Sequence, residues 1–268
     1  MTDRATYTHG HHESVLRTHA WRTVENSAAY LAPHLRSGLS VLDVGCGPGT
    51  VTVDLARHVA PGRVVGVDLS PEVVARAERD ARAVGAADVE FAVADLFALP
   101  FADDSFDVVH VHQVLQHVHD PVAALREMRR VARPGGLVAA REVDYGGTAW
   151  SPASPGLSRW IEIYDRVHRG NGGEPDAGRR LRGWALAAGF SDVTSSASVW
   201  CFASDAERAW WGEAWAERAI RSSFAEQALA TGAADADELE VIAAAWRTWS
   251  ADPGGTLLMP HGEVLARA

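Results

Sequence analysis

Val41-Leu42-Asp43-Val44-Gly45-Cys46-Gly47-Pro48-Gly49-Thr50 decides the fold. Val41, Leu42 and Val44 read as a short buried strand. Gly45, Gly47 and Gly49 follow as a turn with no side chain to keep a ligand from the main chain. Thr50 to His58 reads as the next helix. Strand, glycine turn and helix make a nucleotide-binding corner at the carboxyl end of a parallel strand.

The glycine spacing bears on which nucleotide. A dinucleotide fingerprint needs a third glycine three positions after the second, and Thr50 stands there, with Gly49 one position early. Asp43 lies two residues before the first glycine. A carboxylate there repels a pyrophosphate and attracts an ammonium or sulfonium group. The corner therefore suits a cationic, phosphate-free nucleoside such as S-adenosylmethionine.

Outward from the corner, residues 39–143 alternate strand and helix. Arg63 to Asp68 is a buried strand ending in an acid. Pro71 to Val84 is a helix with Ser70 as its N-cap and proline at its first position. Val89 to Val93 and Phe106 to Val111 are further strands. Pro121 to Val131 is a helix capped by Asp120. Arg133-Pro134-Gly135-Gly136 reads as a turn, and Leu137 to Ala140 begins the fifth strand. Continuous apolar strands separated by helices indicate a parallel sheet covered on both faces. Asp68 falls about twenty residues after the glycine turn, a spacing that suits a carboxylate accepting both ribose hydroxyls. Asp95 follows the third strand, where it can accept from an adenine amino group while the Leu96 backbone addresses the ring nitrogen.

With Asp43 and the glycine run, the segments Asp103-Asp104-Ser105-Phe106-Asp107-Val108-Val109, His112 to His119 and Arg133 to Gly136 complete an ordered set of motifs over residues 41–140. The set resembles the class I S-adenosylmethionine-dependent methyltransferases, and within them the small-molecule branch that includes the ubiquinone and menaquinone methyltransferases. The resemblance implies a Rossmann-like α/β fold with a seven-stranded, mostly parallel sheet and an antiparallel last strand. It implies S-adenosylmethionine as cofactor, held by Asp43, Gly45, Cys46, Gly47, Asp68, Leu69, Asp95, Leu96, His112 and Gln113. It also implies an N-terminal arm folded over the cofactor, with Tyr7 and His11 as candidate contacts.

Four regions follow: a helical arm (1–38), the core (39–203, with an insertion at about 150–172), a helical lid (204–250) and a last core strand (251–268). Ser14 to Leu35 carries apolar residues at helical spacing. Pro152 to Gly170 and Asp176 to Ala188 read as helices and Asp192 to Trp200 as the sixth strand. Asp205 to Ala230 and Asp235 to Trp249 read as two lid helices, and Thr256 to Ala268 as an antiparallel edge strand. All of the ten Trp except Trp21 lie from Trp150 onward. Most read as core, with two or three expected at an apolar acceptor pocket.

Composition narrows the chemistry. The net charge is −10 and no basic stripe is present, which speaks against nucleic acid and an anionic membrane as partners. The sequence contains no Lys, which excludes a Schiff-base or P-loop lysine. Two cysteines make no disulfide framework. His9, His11, His12 and His19 cluster without a Cys or carboxylate at ligand spacing, so no metal site is expected. The opening residues show no signal peptide and no run long enough for a membrane helix, so a cytoplasmic protein is the expectation. A second copy of the chain is a candidate partner.

Methyl transfer from a sulfonium needs the acceptor atom held in line and water excluded. Orientation supplies roughly 7–11 kcal/mol, and a base adds about 10²–10⁴-fold for an oxygen or acidic carbon acceptor. His117 is the first candidate base and His112 the second, with Glu142 and His261 behind them. The expected reaction is transfer to an oxygen, nitrogen or carbon of a small, aromatic or natural-product-like molecule. Cyclisation or decarboxylation by a cofactor-binding enzyme of the same fold stays open, as do a nicotinamide oxidoreductase and a non-catalytic binding module, though Thr50 and Asp43 count against nicotinamide.

Overall fold

A computed structural model describes residues 18–268, so Tyr7, His9, His11 and His12 lie outside the described residues. The sheet is built on β1 (Val41–Val44), β2 (Val64–Asp68), β3 (Glu90–Val93), β4 (Phe106–His112) and β5 (Ala132–Val143), all parallel, in the order β3-β2-β1-β4-β5. Residues 132–136 join β5 through an irregularity between Phe106 and Val108, in place of a separate turn. The remaining strands are β6 (Ala149–Ser151), β7 (Val193–Phe202) and β8 (Thr256–Arg267).

β8 is antiparallel, as the sequence indicates, but it is not an edge. It runs between β5 and β7, pairing Leu137–Val143 on one side and Val193–Phe202 on the other. The short β6, not foreseen in the sequence, pairs with Thr256–Leu258 on β5's side. Alternation along β8 reflects faces, not edges, which is why its place in the sheet is invisible in the sequence. A buried Arg141–Glu263 pair (3.3 Å), with Ser196 and Ser198 donating to the Glu263 carboxylate, joins the three strands.

The local signals act as their chemistry requires. Helix α1 (Val24–Ser27) opens on a capping box between Thr23 and Asn26, and α2 (Thr50–Val59) starts from Gly49. Helix α3 (Pro71–Ala83) is capped by Ser70 and α4 (Pro121–Val131) by Asp120, each through a side-chain oxygen accepting a backbone N–H. Helix α5 (Pro155–Gly170) begins at the Ser154 cap and α6 (Ala177–Ala187) follows. The first helix of the region expected to be a lid is broken: α7 (Asp205–Arg221) and α8 (Ser223–Ala230) meet at the extended Ser222, whose hydroxyl accepts from the Phe224 N–H and donates to the Arg218 carbonyl. A serine that can bond its neighbouring backbone competes with the helix at that point. Helix α9 (Ala236–Ala251) completes this helical region.

Two apolar clusters cover the faces of the parallel sheet, and a third joins α5 to α7, α8 and α9. Trp160, Trp215, Trp246 and Trp249 are fully buried in that third cluster, with Trp160 edge-on to Trp215 (4.7 Å) and Trp246 (4.8 Å). The insertion and the lid thus share one aromatic core. Helix α6 lies so close to β8 that a Cβ on Gly262 would meet the Gly178 carbonyl oxygen at 2.0 Å. Gly262→Ala is therefore expected to destabilise the fold by about 1–3 kcal/mol. Gly183→Ala, whose Cβ meets nothing within 4 Å in the same helix, should be neutral or stabilising by about 0.5–1 kcal/mol. Denaturant titration of both variants checks the contrast.

Candidate cofactor and acceptor site

The glycine turn leaves β1 with left-handed backbone at Gly45 (φ 69°), Gly47 (φ 54°) and Gly49 (φ 78°). A Cβ at Gly45 would lie 2.3 Å from Val114, while one at Gly47 would project into open space. That space is a cleft of about 930 Å³ along the carboxyl ends of β1, β2, β3 and β4. Asp43, Asp68, Glu72 and Asp95 line it, together with Gly45, Cys46, Gly47, Leu69, Leu96, His112, Gln113 and His117. Every described residue of the expected cofactor set is thus brought to one cavity, as is His117.

The acids are not equivalent. Asp68 closes the turn, its carboxylate accepting from the Gly47 N–H (3.1 Å) and the Ser70 N–H (3.1 Å). Asp95 accepts from the Phe97 N–H (2.9 Å), and the Phe97 ring lies against His119 (4.8 Å) at that end of the cleft. Asp43 differs from the sequence expectation of a direct partner for a cation. One of its oxygens accepts from His110 Nδ1–H (2.8 Å) and the other from the Thr52 hydroxyl (2.6 Å). Its charge remains beside the turn while its oxygens tie β1 to β4 and α2. Burial pushes the Cys46 thiol well up, and Asp43 and Asp68 push it further, so Cys46 is a thiol and not a nucleophile.

After β4 the chain is held from below. Glu142 on β5 is buried, and its carboxylate accepts from the N–H groups of Val114 (2.9 Å), Leu115 (2.7 Å) and Gln116 (3.4 Å). It supports the loop and is turned away from the cleft, which removes it as a candidate base. Burial raises it to about 7 against those three bonds. His261 is likewise committed. Its Nδ1–H donates to the Met259 carbonyl (3.0 Å), so its Nε2 accepts from the Gln113 amide (2.8 Å). Gln113 sits in the left-handed region (φ 54°) and its carbonyl oxygen accepts from Arg22. His112 is buried, with neither ring nitrogen hydrogen-bonded to a described residue. Burial, with Arg22 and Arg141 nearby, holds its pKa well below the usual imidazole range. His117 packs against His168 (4.9 Å), and His168 donates to the Gln116 carbonyl (2.7 Å).

His19, Arg22, Gln113 and His117 also line a second, much smaller space of about 20 Å³, room for about one water. Its walls include Tyr145, Trp200, Trp211, Trp215 and Arg218. Three of the later tryptophans therefore face this space. Arg22 and Arg218 escaped the sequence reading, because an arginine on a predicted arm or lid helix carries no sign of burial. Among the described residues no group of three or more His, Cys, Asp or Glu is placed to hold a metal ion.

An adenosyl sulfonium suits this cleft. Asp68, Glu72 and Asp95 line it, Asp43 adds its charge from behind the turn, the main chain at Gly47 is uncovered, and neither ring nitrogen of His112 is bonded to a described residue. A family model described as a methyltransferase domain matches residues 35–166. An uncharacterized methyltransferase of Schizosaccharomyces pombe is 36% identical over 98% of this chain and 97% of its own length. A demethylmenaquinone methyltransferase of Lactococcus lactis is 35% identical over 48% of this chain and 49% of its own. The solved YcgJ protein of Bacillus subtilis shares the fold, with a TM-score of 0.58 at 18% identity over 91% of this chain and 98% of that one. The chain belongs to the class I S-adenosylmethionine-dependent methyltransferases.

Proposed function

We propose that the protein methylates an oxygen, nitrogen or carbon of a small, aromatic or natural-product-like molecule. The observation that carries this reading is the cleft of about 930 Å³ at the carboxyl ends of β1, β2, β3 and β4, which holds the glycine turn, Asp68, Asp95, His112 and His117 in one space large enough for a nucleoside and a small acceptor. A cleft of that size is of the order that small-molecule sites require. The cofactor, when bound, supplies a methyl carbon already activated by the sulfonium charge.

The chain's own groups then have separable tasks. Asp68 takes the ribose hydroxyls while keeping the Gly47 N–H in place. Asp95 and the Leu96 backbone meet the adenine. Arg22, fixed by Gln113, is the counter-charge for the amino acid carboxylate. His117, which lines the cleft, accepts the acceptor's proton, and the neutral His112 offers ring nitrogens to the cofactor or the acceptor. Incubation with S-adenosylmethionine and a panel of phenols, anilines and enolisable ring compounds, followed for S-adenosylhomocysteine and methylated product, tests the reading. Turnover of the panel without either product would favour the non-transferring chemistry.

Asp68→Ala should weaken S-adenosylhomocysteine binding by about 10- to 100-fold, the value of a charged hydrogen bond, as measured by calorimetry. His117→Ala should slow transfer to an acidic oxygen acceptor by about 10²–10⁴-fold. An unchanged rate at every pH would place the base elsewhere. Glu142 is held near 7 in the fold against 4.5 for the free group. The folded protein therefore binds the extra proton between those values, and this group's contribution to stability falls as pH rises from about 4.5 to 7. Glu142→Gln should flatten that part of the stability profile in denaturant titrations across the range.

A further inference from the structure

The outer edge of the sheet, β7, is closed at both tips and open in the middle. Among the described residues β8 is the one strand paired with it. The Arg267 N–H donates to the Asp192 carbonyl (3.0 Å), which sets the phase of the ladder. The even-numbered residues of β7 therefore bond to β8, and the odd-numbered ones turn their N–H and carbonyl groups outward. At the start of the strand Arg182 donates to the outward Val193 carbonyl (2.6 Å). Just past its far end the Ala203 N–H donates to Glu207 (3.2 Å), and the Ala203 carbonyl accepts from Arg208. Ser195, Ala197, Val199 and Cys201 lie between these tips, and all four are exposed.

An open edge is ordinarily guarded by lysine, proline, a bulge or a covering element. The stretch from Val193 to Phe202 has no charged residue, no proline and no break in its register. The side chains of the four open residues share one face. Val199 is 53% exposed there, and Leu258, beside Cys201 on β8, is 40% exposed. The occupant follows from symmetry. The four open residues lie evenly about Ser198. A second β7, antiparallel about a two-fold axis at that residue, sets Ser195 against Cys201 and Ala197 against Val199. Each open residue then exchanges both its bonds with one residue of the partner. A shifted register would push an open residue against a tip that Arg182 or Glu207 and Arg208 already occupy. The same axis brings the exposed Arg182 toward the partner's Asp205, a side chain 96% exposed, while Asp192 at that tip is paired with Arg267 (3.3 Å). Such an interface closes on itself at two copies.

We propose that two copies of the chain join through β7, antiparallel about Ser198, into one continuous sheet.

Light scattering over a concentration series should reach twice the chain mass. Val199→Pro removes an outward N–H and no bond to β8, and should raise the dissociation constant of the dimer by about 10- to 100-fold. Val199→Lys should weaken the dimer through its charge, and circular dichroism shows that each variant is folded. Cross-linking reads the register. Residues of a bonded antiparallel pair lie about 5.5 Å apart, within disulfide reach. Under mild oxidation Ser195→Cys should therefore join two chains through the partner's Cys201. The wild type should not cross-link, because its two Cys201 residues stand about 20 Å apart, and neither should Ser195→Cys combined with Cys201→Ser. A monomer at every concentration, a dimer unaffected by both Val199 variants, or cross-linking of Ser195→Cys no greater than that of the double variant overturns the proposal.

Discussion

The site depends on a carboxylate that no ligand needs to touch. Asp43 is 3% exposed and receives one hydrogen bond from β4, through His110, and one from α2, through Thr52. Charged hydrogen bonds of this kind are short and strong. They fix the exit of β1 against its neighbour strand and against the helix that follows, and so fix the arc of main chain between them. Gly45, Gly47 and Gly49 can then remain in left-handed conformations with their N–H groups turned to Val67, Asp68 and Cys46. Asp68 completes the corner from β2. The negative potential felt by a cationic ligand comes from the same groups that hold the backbone.

Much of this corner is legible in the sequence because it is local. A glycine that must adopt positive φ, a proline after a serine cap and an acid at the end of an apolar strand are each decided within a few residues. The helices starting at Pro71 and Pro121 fall where Ser70 and Asp120 place them. What sequence cannot carry is pairing over long separations. The partners of Asp43 lie 67 residues away at His110 and nine away at Thr52, and no periodicity announces the first. Glu142 looks exposed to the cleft when strand five is read alone, yet its carboxylate turns to the loop after β4. The break at Ser222 and the interior position of β8 have the same origin: apolar spacing gives a face, while neighbours and interruptions come from packing.

The tryptophans divide along a physical line. Trp160, Trp246 and Trp249 fill the space between the insertion and the lid, where large rings bury the most surface per residue. Trp200, Trp211 and Trp215 stand between that core and the second, small space, each with part of its ring in packing and part in the wall of that space. That small space is thus an unfilled margin of the aromatic core, and its shape is inherited from contacts such as the stacked Trp211 and Phe202 (4.2 Å).

The central position of β8 has a temporal meaning. β5 and β7 are made well before residues 256–267, yet until those residues emerge β5 is paired only with β4 and β7 with no strand. While the polypeptide is being synthesised, both strands present open edges, one of them carrying the run Leu137 to Ala140. Nascent chains halted short of residue 256 are therefore the species most exposed to self-association and to chaperone capture, and release from that hazard comes in a single late step.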